Sequence, residues 1–370
     1  MTTTIPFMSL TPGDDAPAIR EAVERVITRG WFILGPELAA FEEEFAAASG
    51  TAYAVGVNTG TDAIALALRG LGIGPGDEVI TTPLSAAYSA LAIMMAGATP
   101  VFADIDPVRL TVDPAAVEAA ITPRTAALLP VHLYGQAADM TRLGAIATRH
   151  NLAVVEDACQ AHLATCEGRP VGTFGAAGAF SFYPTKNLGA LGDAGAIVTN
   201  DGALAARLKR LRNGGQSDRY HHVEFGVNSR LDEIQAAVLR ARLPLLRAWT
   251  ARRREVGGRY RAALRSAPVV VPPECDPGHV YHLFPVLASD REAFMSHMEA
   301  AGVSTIIHYP VPIPRQGALS GQPSVHCPVA DRVCQAVCSI PLHPRLTDTE
   351  VDMVAAAVLQ WTPPAAPASR

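Results

Sequence analysis

The run Leu152-Ala153-Val154-Val155-Glu156-Asp157 is four apolar residues closed by two acids, the pattern of a short buried strand that ends in charge. It belongs to a series. Tyr53-Ala54-Val55-Gly56-Val57, Glu78-Val79-Ile80-Thr81, Pro100-Val101-Phe102-Ala103 and Ala126-Ala127-Leu128-Leu129-Pro130-Val131 precede it, and Ala179-Phe180-Ser181-Phe182 and Ala196-Ile197-Val198-Thr199 follow. Helical stretches separate most of them, at 61–69, 85–96, 114–120 and 139–150. Strands joined by helices of this length predict an α/β fold with a mainly parallel sheet sandwiched by helices. A further helical run ends near Arg212, and a long one extends from about Asp232 through Arg259, with Pro244 as its point of bending. Beyond about Ala267 the texture turns Pro-rich, with shorter signals at 280–287, 291–301 and 346–360. We read 1–250 as a large domain with an N-terminal segment and 251–370 as a smaller C-terminal α+β domain. Pro363 to Arg370 reads as a frayed tail.

Composition narrows the function. Of 370 residues, 49% are hydrophobic and 18% charged, enough for a sizeable core. The net charge of -5 argues against nucleic acid as a partner. The densest basic run, Arg252-Arg253-Arg254, reads as a solvated helix face. Met1 to Pro6 lacks the features of a signal peptide, and no apolar run reaches the length of a membrane span. The six cysteines are too sparse for a disulfide scaffold and match no zinc spacing. Cys334 and Cys338, four apart, would share one face of a helix. The expectation is a reduced, cytoplasmic protein with no metal site and no membrane contact.

In open parallel sheets, ligands bind beyond the carboxyl ends of the strands. Polar residues at such ends are therefore the candidates for chemistry. Asn58-Thr59-Gly60-Thr61-Asp62 follows one strand and opens a helix, where free N–H groups and a positive dipole end suit a phosphate; a plain helix cap is the alternative. Glu156-Asp157 closes another strand, either as a turn or as an anion that keeps a pyridinium protonated. Ser181-Phe182-Tyr183-Pro184-Thr185-Lys186-Asn187 places a serine and a lysine just past a third. Desolvation there would lower the pKa of Lys186 and leave an amine able to form a Schiff base. Spacing alone favours an ordinary surface lysine.

Taken together these residues resemble the DegT/DnrJ/EryC1/StrS family of fold-type-I aminotransferases. The resemblance runs from Trp31-Phe32-Ile33-Leu34-Gly35-Pro36 to Leu346-Thr347-Asp348. Its strongest parts are Gly60-Thr61-Asp62-Ala63, Pro130-Val131-His132-Leu133-Tyr134-Gly135-Gln136, Glu156-Asp157-Ala158 and the Ser181 to Asn187 run. Asn228-Ser229-Arg230-Leu231-Asp232-Glu233 and Ile307-His308-Tyr309-Pro310 complete the set.

The resemblance implies a pyridoxal 5′-phosphate enzyme in which Lys186 forms the internal aldimine and later shuttles a proton. It implies that Asp157 pairs with the pyridine nitrogen and that Gln160 lies near the phenolic oxygen. Gly60, Thr61 and Ser181 would bind the phosphate, with Asn228 reaching it from the neighbouring subunit of a homodimer. His308 and Tyr309 align with a substrate-side loop, with Tyr183 and Arg230 as further substrate candidates. His162 is either near the ring or a satisfied structural histidine. The activity implied is transfer of an amino group from glutamate or glutamine to a nucleotide-linked deoxy keto sugar. An aminocyclitol ketone is the alternative acceptor, and elimination or decarboxylation on the same cofactor the alternative reaction. A non-catalytic regulatory protein would lack Lys186 or Asp157, and both are present.

Some positions depart from the family. Ala86 stands where relatives carry an aromatic that stacks on the cofactor ring, and Tyr88, two residues further along the expected helix, points elsewhere. Val227 replaces a tyrosine common before the asparagine. Cys159 and Leu163 replace smaller residues in the run after Asp157.

Overall fold

The computed structural model describes residues 4–321 and 325–363; the expected tail lies, past Pro363, outside the described residues. The strands are β1 (Tyr53–Val57), β2 (Glu78–Thr81), β3 (Thr99–Phe102), β4 (Thr125–Leu129), β5 (Ala153–Asp157), a small hairpin of β6 (Thr165–Cys166) and β7 (Arg169–Pro170), then β8 (Ala177–Ser181) and β9 (Gly195–Thr199). Seven of them form one sheet in the order β1-β9-β8-β5-β4-β2-β3. Its neighbours pair in parallel except at β9, which runs antiparallel to both β1 and β8.

The first helices are α1 (Ala16–Arg29), α2 (Pro36–Ser49), α3 (Gly60–Gly70), α4 (Tyr88–Met95), α5 (Pro114–Ala119), α6 (Met140–His150) and α7 (Gly202–Leu211). Successive strand residues face opposite sides, and here both sides are buried. Ile80, Leu128, Val154, Phe180 and Val198 pack into one core with Phe41 and Phe45 of α2 and Leu143 of α6. Val79, Ala127, Val155, Ala179 and Ile197 pack into the other with Ile64 and Leu68 of α3 and Leu208 of α7. The continuous apolar runs in the sequence follow from this double covering.

A short ribbon of β10 (Gln216–Asp218) and β11 (His221–His222) precedes α8 (Glu233–Arg242). The expected long helix is two: α8 stops, one 3-10 turn at Leu243–Leu245 carries Pro244, and α9 (Leu246–Ala263) continues. Proline lacks the N–H that an unbroken helix needs at that point. The expected domain division at 250/251 falls inside α9. The C-terminal part holds β12 (Phe284–Leu287) antiparallel to β13 (Val337–Ile340), with α10 (Arg291–Ala300), α11 (Pro328–Ala336) and α12 (Asp348–Gln360). Its core joins Val256 and Tyr260 of α9 to Phe284, Phe294, Val354 and the N-terminal Ile5.

Three sequence expectations are corrected. Cys334 lies in α11 but Cys338 lies in β13, because the helix ends at Ala336; they share no helix face. The helix expected from residue 85 begins at Tyr88, so Ala86 sits in the turn before it. Arg253 is not part of a solvated face: it is 4% exposed and donates to backbone carbonyls of Tyr281, His282 and Leu342.

One buried carboxylate ties the N-terminal segment to α8. Glu233, wholly buried, accepts from the backbone N–H groups of Gly35 (2.9 Å), Glu37 (2.9 Å) and Leu38 (2.8 Å), which open α2. It thus supplies the cap that α2 lacks locally, since its N-cap is Gly35. Replacing Glu233 with Ala leaves those donors buried without partners. The expected loss is about 3 kcal/mol of unfolding free energy, read as a lowered denaturant midpoint at unchanged slope.

Candidate active site

Glu156 and Asp157 are adjacent on β5 and so point to opposite faces. Glu156 is fully buried and accepts from the backbone N–H groups of Gly172 (2.7 Å), Phe174 (2.7 Å) and Gly175 (2.9 Å). His132 Nε2 lies 3.0 Å from the same carboxylate, and its Nδ1 accepts from Ala138 N at 3.1 Å, so Nε2 carries the proton. Glu156 therefore holds a loop. Asp157 faces the other way: its Oδ2 accepts from Ser89 Oγ at 2.7 Å and its Oδ1 from Cys159 N at 3.1 Å. Ser89, on the first turn of α4, was not singled out in the sequence, because attention at this segment falls on aromatic positions. Tyr88 does not take over from Ala86 within the chain, being 63% exposed.

The strand β8 pairs with β5 in the register Asp157↔Ala179, which carries Ser181 and the following turn to the same sheet edge. In that turn Lys186 N donates to Tyr183 O (2.8 Å), and Ala190 N returns to Phe182 O (2.7 Å). Among the described residues no carboxylate lies within ion-pair distance of the Lys186 amine. Burial pushes its pKa below the ordinary lysine value, against a smaller opposing pull from Cys159 and Asp157. The chain has two lysines. The other, Lys209, is half-exposed and pairs with Glu42 at 3.3 Å. That scarcity is a sequence signal that reading motif by motif passes over.

The start of α3 closes against this edge. Thr59 caps the helix by accepting from Asp62 N at 3.0 Å, leaving the N–H groups of Gly60 and Thr61 beyond the intrahelical ladder. Only glycine fits at position 60: a Cβ would lie 2.7 Å from Ser181 Cβ and 2.8 Å from Cys159 Sγ. Cys159 therefore walls the cradle between Gly60 and Asp157. Leu163, the other departure in this run, adopts φ 64°, a left-handed conformation that glycine takes more easily.

Gln160 links the sheet to the loop that carries His308 and Tyr309. Its Oε1 accepts from Tyr134 N (2.8 Å) and its Nε2 donates to Tyr309 Oη (3.0 Å). Tyr134 Oη in turn donates to the carbonyl of His308. Burial pushes the Tyr309 hydroxyl up to about 12 and the His308 imidazole down to about 4. His308 Nδ1 lies 3.1 Å from Ser339 Oγ.

Four candidates stand apart from this network. Tyr183 is half-exposed, and Arg230 donates to Asn213 Oδ1 at 3.0 Å. Asn228 is exposed, with no side-chain hydrogen bond among the described residues. Its neighbour Ser229, missed in the sequence, accepts from Asn58 N (3.1 Å) and donates to Asp62 Oδ2 (2.7 Å). His162 is buried, but neither ring nitrogen finds a partner among the described residues, so it is not a satisfied structural histidine. It sits between Phe180 and Phe182, and burial holds it neutral with a pKa of about 3.

A desolvated amine, a fixed carboxylate and a glycine cradle at a helix start beside a serine hydroxyl meet the chemical needs of pyridoxal phosphate: covalent capture, a charged ring partner and a phosphate seat. The family described as the DegT/DnrJ/EryC1/StrS aminotransferase family matches residues 14–359. The chain belongs to that family. It is a pyridoxal-phosphate-dependent aminotransferase. It is 48% identical over 346 residues to a dTDP-3-amino-3,4,6-trideoxy-α-D-glucose transaminase of Streptomyces venezuelae, covering 92% of this chain and 91% of that one. The solved structure of S. venezuelae DesV in complex with a ketimine intermediate superposes with a TM-score of 0.94 at 47% identity, covering 97% and 99% of the two chains. That of NtdA from Bacillus subtilis with bound cofactor PMP gives 0.90 at 32%, covering 97% and 85%. The mainly parallel sheet flanked by helices, expected from the sequence, is that of these enzymes.

The lowered pKa of Lys186 makes a pH prediction for the aminotransferase stripped of cofactor. Below that pKa the amine is a cation and inert toward aldehydes; above it the amine is neutral and adds. Lysine ordinarily titrates at 10.5. Uptake of pyridoxal phosphate should therefore reach its plateau at a pH below that value. In the same window the unfolded chain holds a proton that the folded chain lacks, so apoprotein stability should rise with pH. A binding titration with an ordinary lysine profile would contradict this.

Proposed function

We propose that this enzyme moves an amino group from glutamate or glutamine to a nucleotide-linked deoxy keto sugar, as a cytoplasmic homodimer. The observation that carries the chemistry is the buried, unpaired amine of Lys186 at the sheet edge that also holds Asp157. Support for the acceptor comes from the similarity to the S. venezuelae transaminase, whose name specifies a dTDP-linked trideoxy sugar.

Pyridoxal phosphate, when bound, supplies an aldehyde that takes up amines and a ring that withdraws electrons from the adjacent carbon. The residues of the chain do the rest. Lys186 would hold the cofactor covalently and, with its amine free, would move the proton at the carbon bearing the substrate amine, a task that needs it neutral. Asp157, fixed by Ser89 and by Cys159 N, keeps a proton on the pyridine nitrogen. Gly60 and Thr61 N–H groups and Ser181 Oγ bind the phosphate. Gln160 orients the ring's phenolic oxygen. His308 and Tyr309 bind substrate, held in place through Gln160 and Tyr134, with Tyr183 and Arg230 further out.

The Asn228 side chain finds no hydrogen-bond partner among the described residues, which fits a role at the phosphate of a second copy. The exposed aromatic residues Trp31, Phe32, Tyr220 and Phe225 offer the surface that such a copy would cover. The six cysteines are all free thiols, as suits a reducing compartment.

Mixing purified holoenzyme with glutamate and no acceptor should yield 2-oxoglutarate in an amount equal to the enzyme, with loss of the yellow absorbance. Lys186→Ala should abolish this, and Asp157→Ala should slow it by at least about 100-fold. Absence of 2-oxoglutarate from wild-type protein that has bound the cofactor would overturn the proposal.

A further inference from the structure

A cavity of about 90 Å3, open to solvent, lies beside the turn that carries Lys186. Its wall is rich in cations that the roles above leave unused. Besides Lys186 it includes Asp15, Arg242, Arg253, His343 and Arg345. Asp15 is the one carboxylate in this wall, and it is already neutralised by Arg242 (2.8 Å) and Arg345 (3.2 Å).

Arg253 has no such partner among the described residues. It is 4% exposed, and its hydrogen bonds all run from Nη1 to neutral carbonyls, those of Tyr281 (3.1 Å), His282 (3.3 Å) and Leu342 (3.0 Å). Its Nε has no partner. His343 is 7% exposed, and its Nε2 is likewise unpartnered. Burial lowers the Arg253 pKa to about 10, which leaves it charged at neutral pH. A buried guanidinium that faces only carbonyls is unusual, since interior charges are normally met by an opposite charge. Two unsatisfied buried groups on one cavity wall, with surplus positive charge, describe a site built for an anion.

We propose that this wall seats a carboxylate of the amino donor, with Arg253 Nε and His343 Nε2 as its hydrogen-bond donors. The assignment rests on the transaminase reading above. An amino acid carries one carboxylate on the very carbon that bears its amine, and glutamate carries a second at the end of its side chain. Either must lie close to the Lys186 amine, and Lys186 is among the residues lining this cavity. The diphosphate of a nucleotide sugar is kept away from the keto carbon by the sugar ring. A second cavity, which shares Thr185 with the first, is lined by Phe7, His282, Ile306 and His308 and has no arginine or lysine in its lining, which suits the less charged acceptor. Two walls of different charge let one lysine serve two unlike substrates in turn.

The test is calorimetric titration of the holoenzyme with glutarate, a dicarboxylate without an amine, and separately with inorganic pyrophosphate. Wild-type protein should bind glutarate, and Arg253→Gln should weaken it about tenfold or more, the usual effect of losing a charge-assisted hydrogen bond. His343→Gln should weaken it by a smaller factor. Circular dichroism shows whether each variant folds; if Arg253→Gln does not, His343→Gln carries the test. The proposal is overturned if wild type does not bind glutarate, or if folded variants bind it as wild type does. It is also overturned if the substitutions weaken pyrophosphate and leave glutarate unchanged. Failure of wild type to convert glutamate would sink the transaminase reading. Conversion with unaltered KM in both variants would sink this inference alone.

Discussion

The parallel pairing of β5 with β8 is the constraint from which the active site follows. With Asp157 opposite Ala179, the carboxylate closing one strand and the serine closing the next reach the same edge. The chain beyond Ser181 must then turn back, because Ala190 N bonds to Phe182 O. That turn carries Lys186. The strand β9, antiparallel on the far side of β8, leaves the return path no freedom, and a Cβ at Gly195 would lie 2.4 Å from the Thr59 carbonyl. Helix α3 therefore starts hard against β8, with Gly60 at the contact. A rigid sheet edge, rather than a flexible loop, fixes amine, carboxylate and cradle together.

The interior behind that edge gathers cationic and imidazole side chains. Lys186, Arg253, His162 and His282 all have lowered pKa values, with burial the first cause for each. Repulsion from nearby cations adds to it at His162, which feels Lys186 and Arg253, and most clearly at His282, which feels Lys186, Arg253, His308 and His162. The consequence is an amine that sheds its proton more readily than an ordinary lysine, and imidazoles at His162 and His282 that are neutral. Asp157 is the negative counterpart, kept in place by Ser89 and by the backbone at Cys159.

Much of this was legible in the sequence. The apolar runs end within two residues of the strand ends, with Asp157 and Ser181 closing their strands and Lys186 just beyond, because a doubly covered parallel sheet must switch to polar residues at its edge. What the sequence hid were contacts between distant segments. Ser89 and Ser229 carry no signature of their own, since a serine beside a helix start is ordinary until a carboxylate 68 residues away meets it. Arg253 looked solvated because its neighbours Arg252 and Arg254 are polar, yet it lies three residues after Thr250 and three before Val256 on the buried face of α9. The split between Glu156 and Asp157 followed from strand alternation alone, although only the structure shows which acid faces the loop and which the site.

Ala86 leaves the ring without the aromatic partner that the family resemblance implies, and Tyr88, exposed at the start of α4, does not replace it within one chain. Cofactor capture must then rest on Lys186, Asp157 and the cradle. The most direct measurement is borohydride reduction of the holoenzyme followed by peptide mass mapping, in a chain whose two lysines fall in different segments. A phosphopyridoxyl mass confined to the peptide containing Lys186 is the result this account predicts. The same mass on Lys209, or on neither lysine, would contradict it.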